Sequence, residues 1–260
     1  TVEYYKDGVK VESDTQIETE IVQLLAPEIL TVRKDNINTT NKYVGYKFES
    51  TDPVIIPDTV ANGEIIKVYY IKDNFDYIVE YYYENIIDPS KSVVTEATYQ
   101  DVIDTYVDKV IPGYELDKVE GTPLTITENE STNVIKVYYK KARFEYKVEY
   151  YYDGELKENY TETKEAVFED RIETYTPKED YGYKFDKTFN LPMRVSENIE
   201  NNVIEVYYVR KDSTVSVQFV DKISGNTISP EVVKEGKVFD IFDITNDVKE
   251  IEGYTLIESP

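Results

Sequence analysis

The side chains of this sequence that could do chemistry are carboxylates and phenols, and little else. There are 52 Asp and Glu and 26 Tyr, with no His and no Cys. Without His, the commonest general base and metal ligand is missing, and His-dependent nucleophile activation is excluded. Without Cys there are no disulfides and no thiolate metal sites. Carboxylate pairs can hydrolyse glycosides, but only where two carboxyls face one cleft and one has a raised pKa. The spacing of the acids marks no such pair, so the chain reads as a non-enzyme that needs no cofactor. Glu128, Glu130, Glu197 and Glu200 precede late strands. They suit solvated loops better than calcium, which asks for about six to eight converging oxygens and an Asp/Asn/Gly alternation. Lys and Asn are plentiful, but no placement suggests an isopeptide bond.

The phenols carry the main candidate surface. Tyr outnumbers Phe by 26 to 9, and Tyr favours strands while keeping a polar tip. Facing outward, Tyr81, Tyr83, Tyr150, Tyr152, Tyr207 and Tyr208 could stack on sugar rings. The plainer expectation is that outward Tyr pairs across strands and stiffens the sheet.

A net charge of −23 argues against nucleic acid and against an anionic membrane surface, both of which call for basic patches. No apolar run approaches the roughly 20 residues that span a bilayer.

These residues sit in a repeat. The phrases Ile65-Ile66-Lys67-Val68-Tyr69-Tyr70, Val134-Ile135-Lys136-Val137-Tyr138-Tyr139 and Val203-Ile204-Glu205-Val206-Tyr207-Tyr208 lie 69 residues apart. A second phrase opens each unit: Val2-Glu3-Tyr4-Tyr5, Val79-Glu80-Tyr81-Tyr82, Val148-Glu149-Tyr150-Tyr151 and, degenerately, Val217-Gln218-Phe219-Val220. Gly-Tyr recurs in mid-unit at Gly45, Gly113, Gly182 and Gly253. Three markers with one period divide the chain into 1–72, 73–141, 142–210 and 211–260. The first unit carries extra residues between Lys6 and Lys42, and the fourth has no closing phrase. The chain therefore reads as a segment of a longer protein. Each closing Tyr and the next opening Val are nine residues apart, with no Gly- or Pro-rich linker, which predicts semi-rigid junctions and an elongated rod.

Within a unit the order is strand, turn, strand, crossover, strand, loop, strand. Asp7-Gly8 and Asp153-Gly154 signal tight turns, with Glu84-Asn85 in the second unit. Tyr99, Ile103 and Tyr106 stand at i, i+4 and i+7, as do Phe168, Ile172 and Tyr175. That spacing suits one face of a short helix, or aromatics in an irregular crossover. Pro177 limits any helix in the third unit. About 69 residues is near the lower limit for one core, which a mixed sheet with one short helix would satisfy.

The segment Val215-Ser216-Val217-Gln218-Phe219-Val220-Asp221, then Gly225-Asn226-Thr227-Ile228, Gly236-Lys237-Val238-Phe239 and Ile251-Glu252-Gly253-Tyr254-Thr255-Leu256, resembles the MucBP (mucin-binding protein) repeat of Gram-positive surface proteins. The first three units are similar to the wider MucBP-like group, with Tyr4-Tyr5-Lys6-Asp7-Gly8, Tyr81-Tyr82-Tyr83-Glu84-Asn85 and Tyr150-Tyr151-Tyr152-Asp153-Gly154 in place of the Val-Asp opening. The resemblance implies a β-rich α+β class with tandem ubiquitin-like (β-grasp) repeats. It also implies an extracellular, cell-wall-associated parent and weak, multivalent adhesion to host mucin-type glycoprotein or glycan. The rival expectation is a monomeric stalk that projects a distal head.

Overall fold

The structure, a computed structural model, describes residues 1–259 and divides into two compact units, Thr1–Lys141 and Ala142–Pro260. The protein is β-rich, and among the described residues no helix reaches seven residues.

Three repeats share one sheet plan. The opening strand (Val2–Lys6, Asn74–Tyr83, Arg143–Tyr152) lies parallel to the closing strand (Ile66–Lys72, Val134–Lys141, Val203–Arg210). The Gly-Tyr strand (Tyr46–Asp52, Tyr114–Glu120, Tyr183–Phe189) pairs antiparallel on the far side of the closing strand. It is bulged at the same place in all three, after Phe48, Leu116 and Phe185. A return strand, Val93–Thr98 or Glu162–Val167, pairs with the first half of the opening strand in the second and third repeats. The parallel pair is central, and its β-branched and aromatic residues fit a pleated surface buried on one side and half-buried on the other.

The turn after the opening strand follows the sequence signal. Asp7-Gly8 and Asp153-Gly154 both have positive φ, at 47°, 77° and 50°, 85°. Glu84-Asn85 adopts the same conformation at 50° and 65°, the twist that matches a two-residue hairpin.

Of the two readings of Tyr99–Tyr106 and Phe168–Tyr175, a short helix or aromatics in an irregular crossover, the structure has the second. After Val102–Ile103 and Arg171–Ile172, each two residues long, the crossover has no regular backbone bonding. Each short strand pairs with a piece that follows the Gly-Tyr strand, Leu124–Thr125 or Met193–Arg194. Ile103 and Tyr106, like Ile172 and Tyr175, still pack on the core, so the apolar spacing marked burial and not helix.

Tyrosine hydroxyls supply the bonds that a helix would have made internally. In the third repeat Tyr150 donates to Thr176 O at 2.5 Å and Tyr152 to Lys178 O at 2.8 Å, while Lys178 N–H donates to Tyr208 Oη at 3.0 Å. In the second, Tyr81 donates to Val107 O at 2.5 Å, Tyr139 donates to the Asp108 carboxylate, and Lys109 N–H donates to Tyr139 Oη at 2.8 Å. In the first, Tyr70 donates to Asn38 O at 2.6 Å and Asn38 N–H donates to Tyr4 Oη at 3.0 Å. Phenylalanine at these positions would leave crossover peptide groups unpaired against the sheet.

The core is three separate clusters, one per repeat, each built on the inner side of the parallel pair. Val148, Tyr150, Tyr152, Ile204, Val206 and Tyr208 form the third. The fourth repeat differs. Its strands Asp212–Val220 and Thr227–Lys237 pair only with each other among the described residues. Gly253 and Tyr254 lie outside any strand.

Successive repeats within each compact unit are joined by one arrangement. A single residue, Asp73 or Lys211, separates the closing strand from the next opening strand. Its N–H donates to the carbonyl of the Gly-Tyr glycine, Asp73 to Gly45 at 2.9 Å and Lys211 to Gly182 at 2.7 Å. Its carbonyl accepts from Tyr99 N–H at 2.8 Å or Val238 N–H at 3.0 Å. Those acceptor bonds open a tight turn, Thr98–Asp101 or 237–240, closed by a carboxylate that takes the first N–H of the turn. An aromatic ring from the turn lies on the glycine. A Cβ on Gly45 would come within 2.4 Å of the Tyr99 ring, and one on Gly182 within 2.7 Å of the Phe239 ring. With φ of 74° and 82° as well, both positions require glycine.

Candidate ligand-binding surface

The phrase Val-Glu-Tyr-Tyr alternates in, out, in, out along a strand. The inner set is fixed by the valines. Tyr81, Tyr150, Tyr152 and Tyr208 have the parity of Val79, Val148 and Val206, and they are 1%, 0%, 1% and 5% exposed. As stacking residues for a ligand from solution they are therefore corrected, since their rings fill the cores and their hydroxyls hold the crossovers. Tyr83 also packs against its core, stacked on Tyr139 at 5.4 Å and meeting Tyr114 edge-on at 5.5 Å. Of the six candidates, only Tyr207 faces outward.

The outward row consists mainly of residues that the sequence reading did not select. Parallel pairing with aligned register sets Tyr5 beside Tyr69, Tyr82 beside Tyr138 and Tyr151 beside Tyr207. Their ring centroids are 5.2, 4.6 and 4.8 Å apart with interplanar angles of 32°, 21° and 11°. Each pair is half-buried. The available signal was the Val two residues before each inner Tyr, which assigns the second Tyr to the outer face.

Carboxylates two residues upstream on the same face take the hydroxyls. Tyr5 donates to Glu3, Tyr82 to Glu80 and Tyr207 to Glu205 at 2.7 Å, and Tyr151 to Glu149 at 2.8 Å. The hydrogen bond to Glu80, reinforced by burial, pushes the Tyr82 phenol up to about 12. Glu149 does the same to Tyr151, also to about 12. The hydrogen bond from Glu205 likewise raises Tyr207. These groups are neutral phenols at ordinary pH and are no candidates for acid–base work. The chain's own cations already lie over two of the three platforms. Lys118 Nζ is 4.6 Å from the Tyr138 ring and Lys187 Nζ is 5.6 Å from the Tyr207 ring, with Phe189 edge-on to Tyr207 at 5.4 Å.

The acidic loops do not converge. Glu130 begins a short 3-10 turn and accepts Asp76 N–H at 3.1 Å, and Glu200 lies within the matching turn of the third repeat. Among the described residues no group of three or more Asp and Glu could hold a metal ion, and no helix is long and apolar enough to cross a membrane. One small hollow lies in the first repeat, bordered mainly by Val2, Leu30, Val32, Ile37, Val60 and Ile66.

What the loops do contain is a buried amide that the sequence reading passed over. Asn133 and Asn202 are fully buried. The Asn202 side chain donates to Glu145 O at 3.2 Å and Ser196 O at 2.8 Å, and accepts from Ser196 N–H at 2.9 Å and Ser196 Oγ at 3.1 Å. Asn133 makes the corresponding bonds to Asp76 and Thr127. Each amide thus ties the loop before the closing strand to the opening strand.

No family model matches this chain, and no curated protein matches it.

Proposed function

We propose that this chain is a spacer, a tandem array whose task is to hold its ends apart and to carry whatever the parent protein displays. The observation that supports this reading is the repeated junction. The same glycine carbonyl, the same one-residue break and the same aromatic-on-glycine contact join repeats 1 and 2 and, again, repeats 3 and 4. A flexible tether would not need such bonds. On this reading the units are helix-less relatives of the β-grasp repeat, and the parent is a Gram-positive surface protein, as a resemblance to MucBP repeats would imply. Small-angle scattering tests the proposal. A compact 260-residue chain has a radius of gyration of roughly 18 Å, and the spacer should be about twice that. A value near the compact figure would remove the spacer reading.

A second reading is adhesion to a host glycoprotein or glycan through the outer Tyr pairs. It is favoured by three equivalent platforms with carboxylate rims, which could act with avidity. The lysines over Tyr138 and Tyr207 weigh against it. Retention on immobilised mucin that disappears on deglycosylation, and weakens in a Tyr82→Ala, Tyr151→Ala double variant, would establish adhesion. Equal retention on both surfaces would exclude it.

A further inference from the structure

We propose that each complete repeat is a shear clamp, built to resist tension applied along the chain. The proposal rests on the spacer reading for its purpose, and on strand direction for its physics.

The chain enters a repeat at the start of the opening strand and leaves at the end of the closing strand. These two strands are the parallel neighbours at the centre of the sheet. Because they are parallel, the entry point and the exit point lie at opposite ends of one two-strand ribbon. Tension therefore slides one strand lengthwise past the other. Six register pairs, Lys147↔Val203 to Tyr152↔Tyr208, are loaded together, as are Ile78↔Val134 to Tyr83↔Tyr139 in the second repeat. Antiparallel terminal strands would instead open from one end, one bond at a time.

The inner face of the ribbon is shielded from water, which would otherwise replace the loaded bonds as they lengthen, and the outer face is partly covered. The inner face is closed by Val148, Tyr150, Ile204 and Val206, each 0% exposed. The outer face carries the stacked Tyr151–Tyr207 pair. The ends of the ribbon are pinned too. At one end, Lys147 N–H donates to Asn202 O at 2.8 Å while the Asn202 amide holds Glu145 O. At the other, Asp153 N–H donates to Tyr208 O at 3.0 Å and Arg210 holds the Asp153 carboxylate at 2.7 Å. The stacked tyrosines thus gain a role that needs no ligand. Sliding the strands would drag each ring off its partner.

The experiment is single-molecule pulling of the 260-residue chain in two directions. Handles at the chain ends load the clamps in shear. Handles on a Lys147→Cys, Val203→Cys variant peel the third repeat instead, because these two residues are register partners at one end of the ribbon. The chain has no other Cys, so attachment is unique. Ile78→Cys with Val134→Cys applies the same geometry to the second repeat, should the first variant fail to fold. End-to-end pulling should give three separate events, those of the second and third repeats each releasing about 220 Å, from about 3.6 Å per residue over one repeat less the folded strand length. At equal loading rate, shear should need at least twice the force of peeling. Equal forces in the two directions, or end-to-end extension without resolved events, would overturn the clamp. The outcome is independent of scattering. A compact chain that resists shear would sink the spacer and keep the clamp, and an extended chain that yields without events would do the reverse.

Discussion

Raised from pH 9 to pH 12, the protein should lose its β-sheet signal cooperatively, in step with a jump in tyrosinate absorbance. The cause is the buried phenols. Burial pushes Tyr70 up to about 12 in the folded state, against about 10 in an unfolded chain. Burial likewise raises Tyr43, Tyr139, Tyr150 and Tyr152, with Asp14 and Asp108 adding to the effect on Tyr43 and Tyr139 through their hydrogen bonds. The folded state keeps these phenols protonated. Between pH 10 and pH 12 the unfolded chain therefore binds fewer protons, and stability falls as pH rises. Below pH 10 both states are protonated and the contribution is complete. Tyr70 alone, fully buried, accounts for about 2–3 kcal/mol over that window. Each of the three repeats holds one or two such groups, so the loss weighs on every core against the 5–15 kcal/mol or so that holds a typical domain. Circular dichroism and tyrosinate absorbance recorded on one sample check this. A gradual absorbance rise from pH 10 with an unchanged sheet signal would show that the phenols ionise in place and that the tethers are not needed.

The repeat itself was legible because strands advertise themselves. Val-Ile-Glu-Val-Tyr-Tyr can be little else than a strand, and Asp-Gly fixes a turn whose backbone needs positive φ. The structure sets the closing strand, with its β-branched run, at the centre of the sheet beside the other recurring phrase, a pairing the sequence did not mark. Which tyrosines face outward was also within reach, through the parity of Val79 and Val148. Selecting Tyr81 and Tyr83, or Tyr150 and Tyr152, chose residues of one parity, and that parity belonged to the core. A Tyr whose ring is buried and whose hydroxyl is tied differs from an exposed one only by its neighbours.

The crossover was left open between a helix and an irregular segment, for a physical reason. Tyr99, Ile103 and Tyr106 have helical spacing, but helix formation needs propensity and bonding along the whole segment. Asp101, Val102, Asp104, Thr105 and Val107 are all weak helix formers. The segment instead obtains bonds from Tyr81 and Tyr139 on the two central strands. The return strand was expected as the second strand of each unit, but its bounds were not marked. Val93–Thr98 has a mostly exposed outer edge, so it shows little of the apolar alternation that marks half-buried strands. The junction was partly visible. The constant spacing predicted stiffness, but the use of Gly45 and Gly182 as seats for an aromatic ring from the next repeat depends on tertiary contact.

The buried amides give the sharpest mutational contrast. Asn202→Ala should destabilise the third repeat by about 3–5 kcal/mol, since it removes four side-chain hydrogen bonds and leaves Glu145 O, Ser196 O and Ser196 N–H without those partners in the interior. Asn202→Asp keeps the acceptor and loses both donors to carbonyls, so it should cost nearly as much while adding a charge in a buried position. Asn133→Ala should behave alike in the second repeat. The internal control lies in the first repeat, where the residue 69 positions earlier is Glu64. Its carboxylate is exposed and serves only Ala61 N–H at 2.7 Å. Glu64→Ala should therefore stay within about 1 kcal/mol of the parent. Hydrogen exchange read repeat by repeat would separate the three, because each repeat has its own core. If Asn202→Ala and Glu64→Ala lose the same amount, the amide is filling space, and the loop before the closing strand is held by its backbone alone. If only Asn202→Ala and Asn133→Ala fail, the end of each parallel ribbon depends on one side chain. In that case a single substitution should also lower the force at which that ribbon slides.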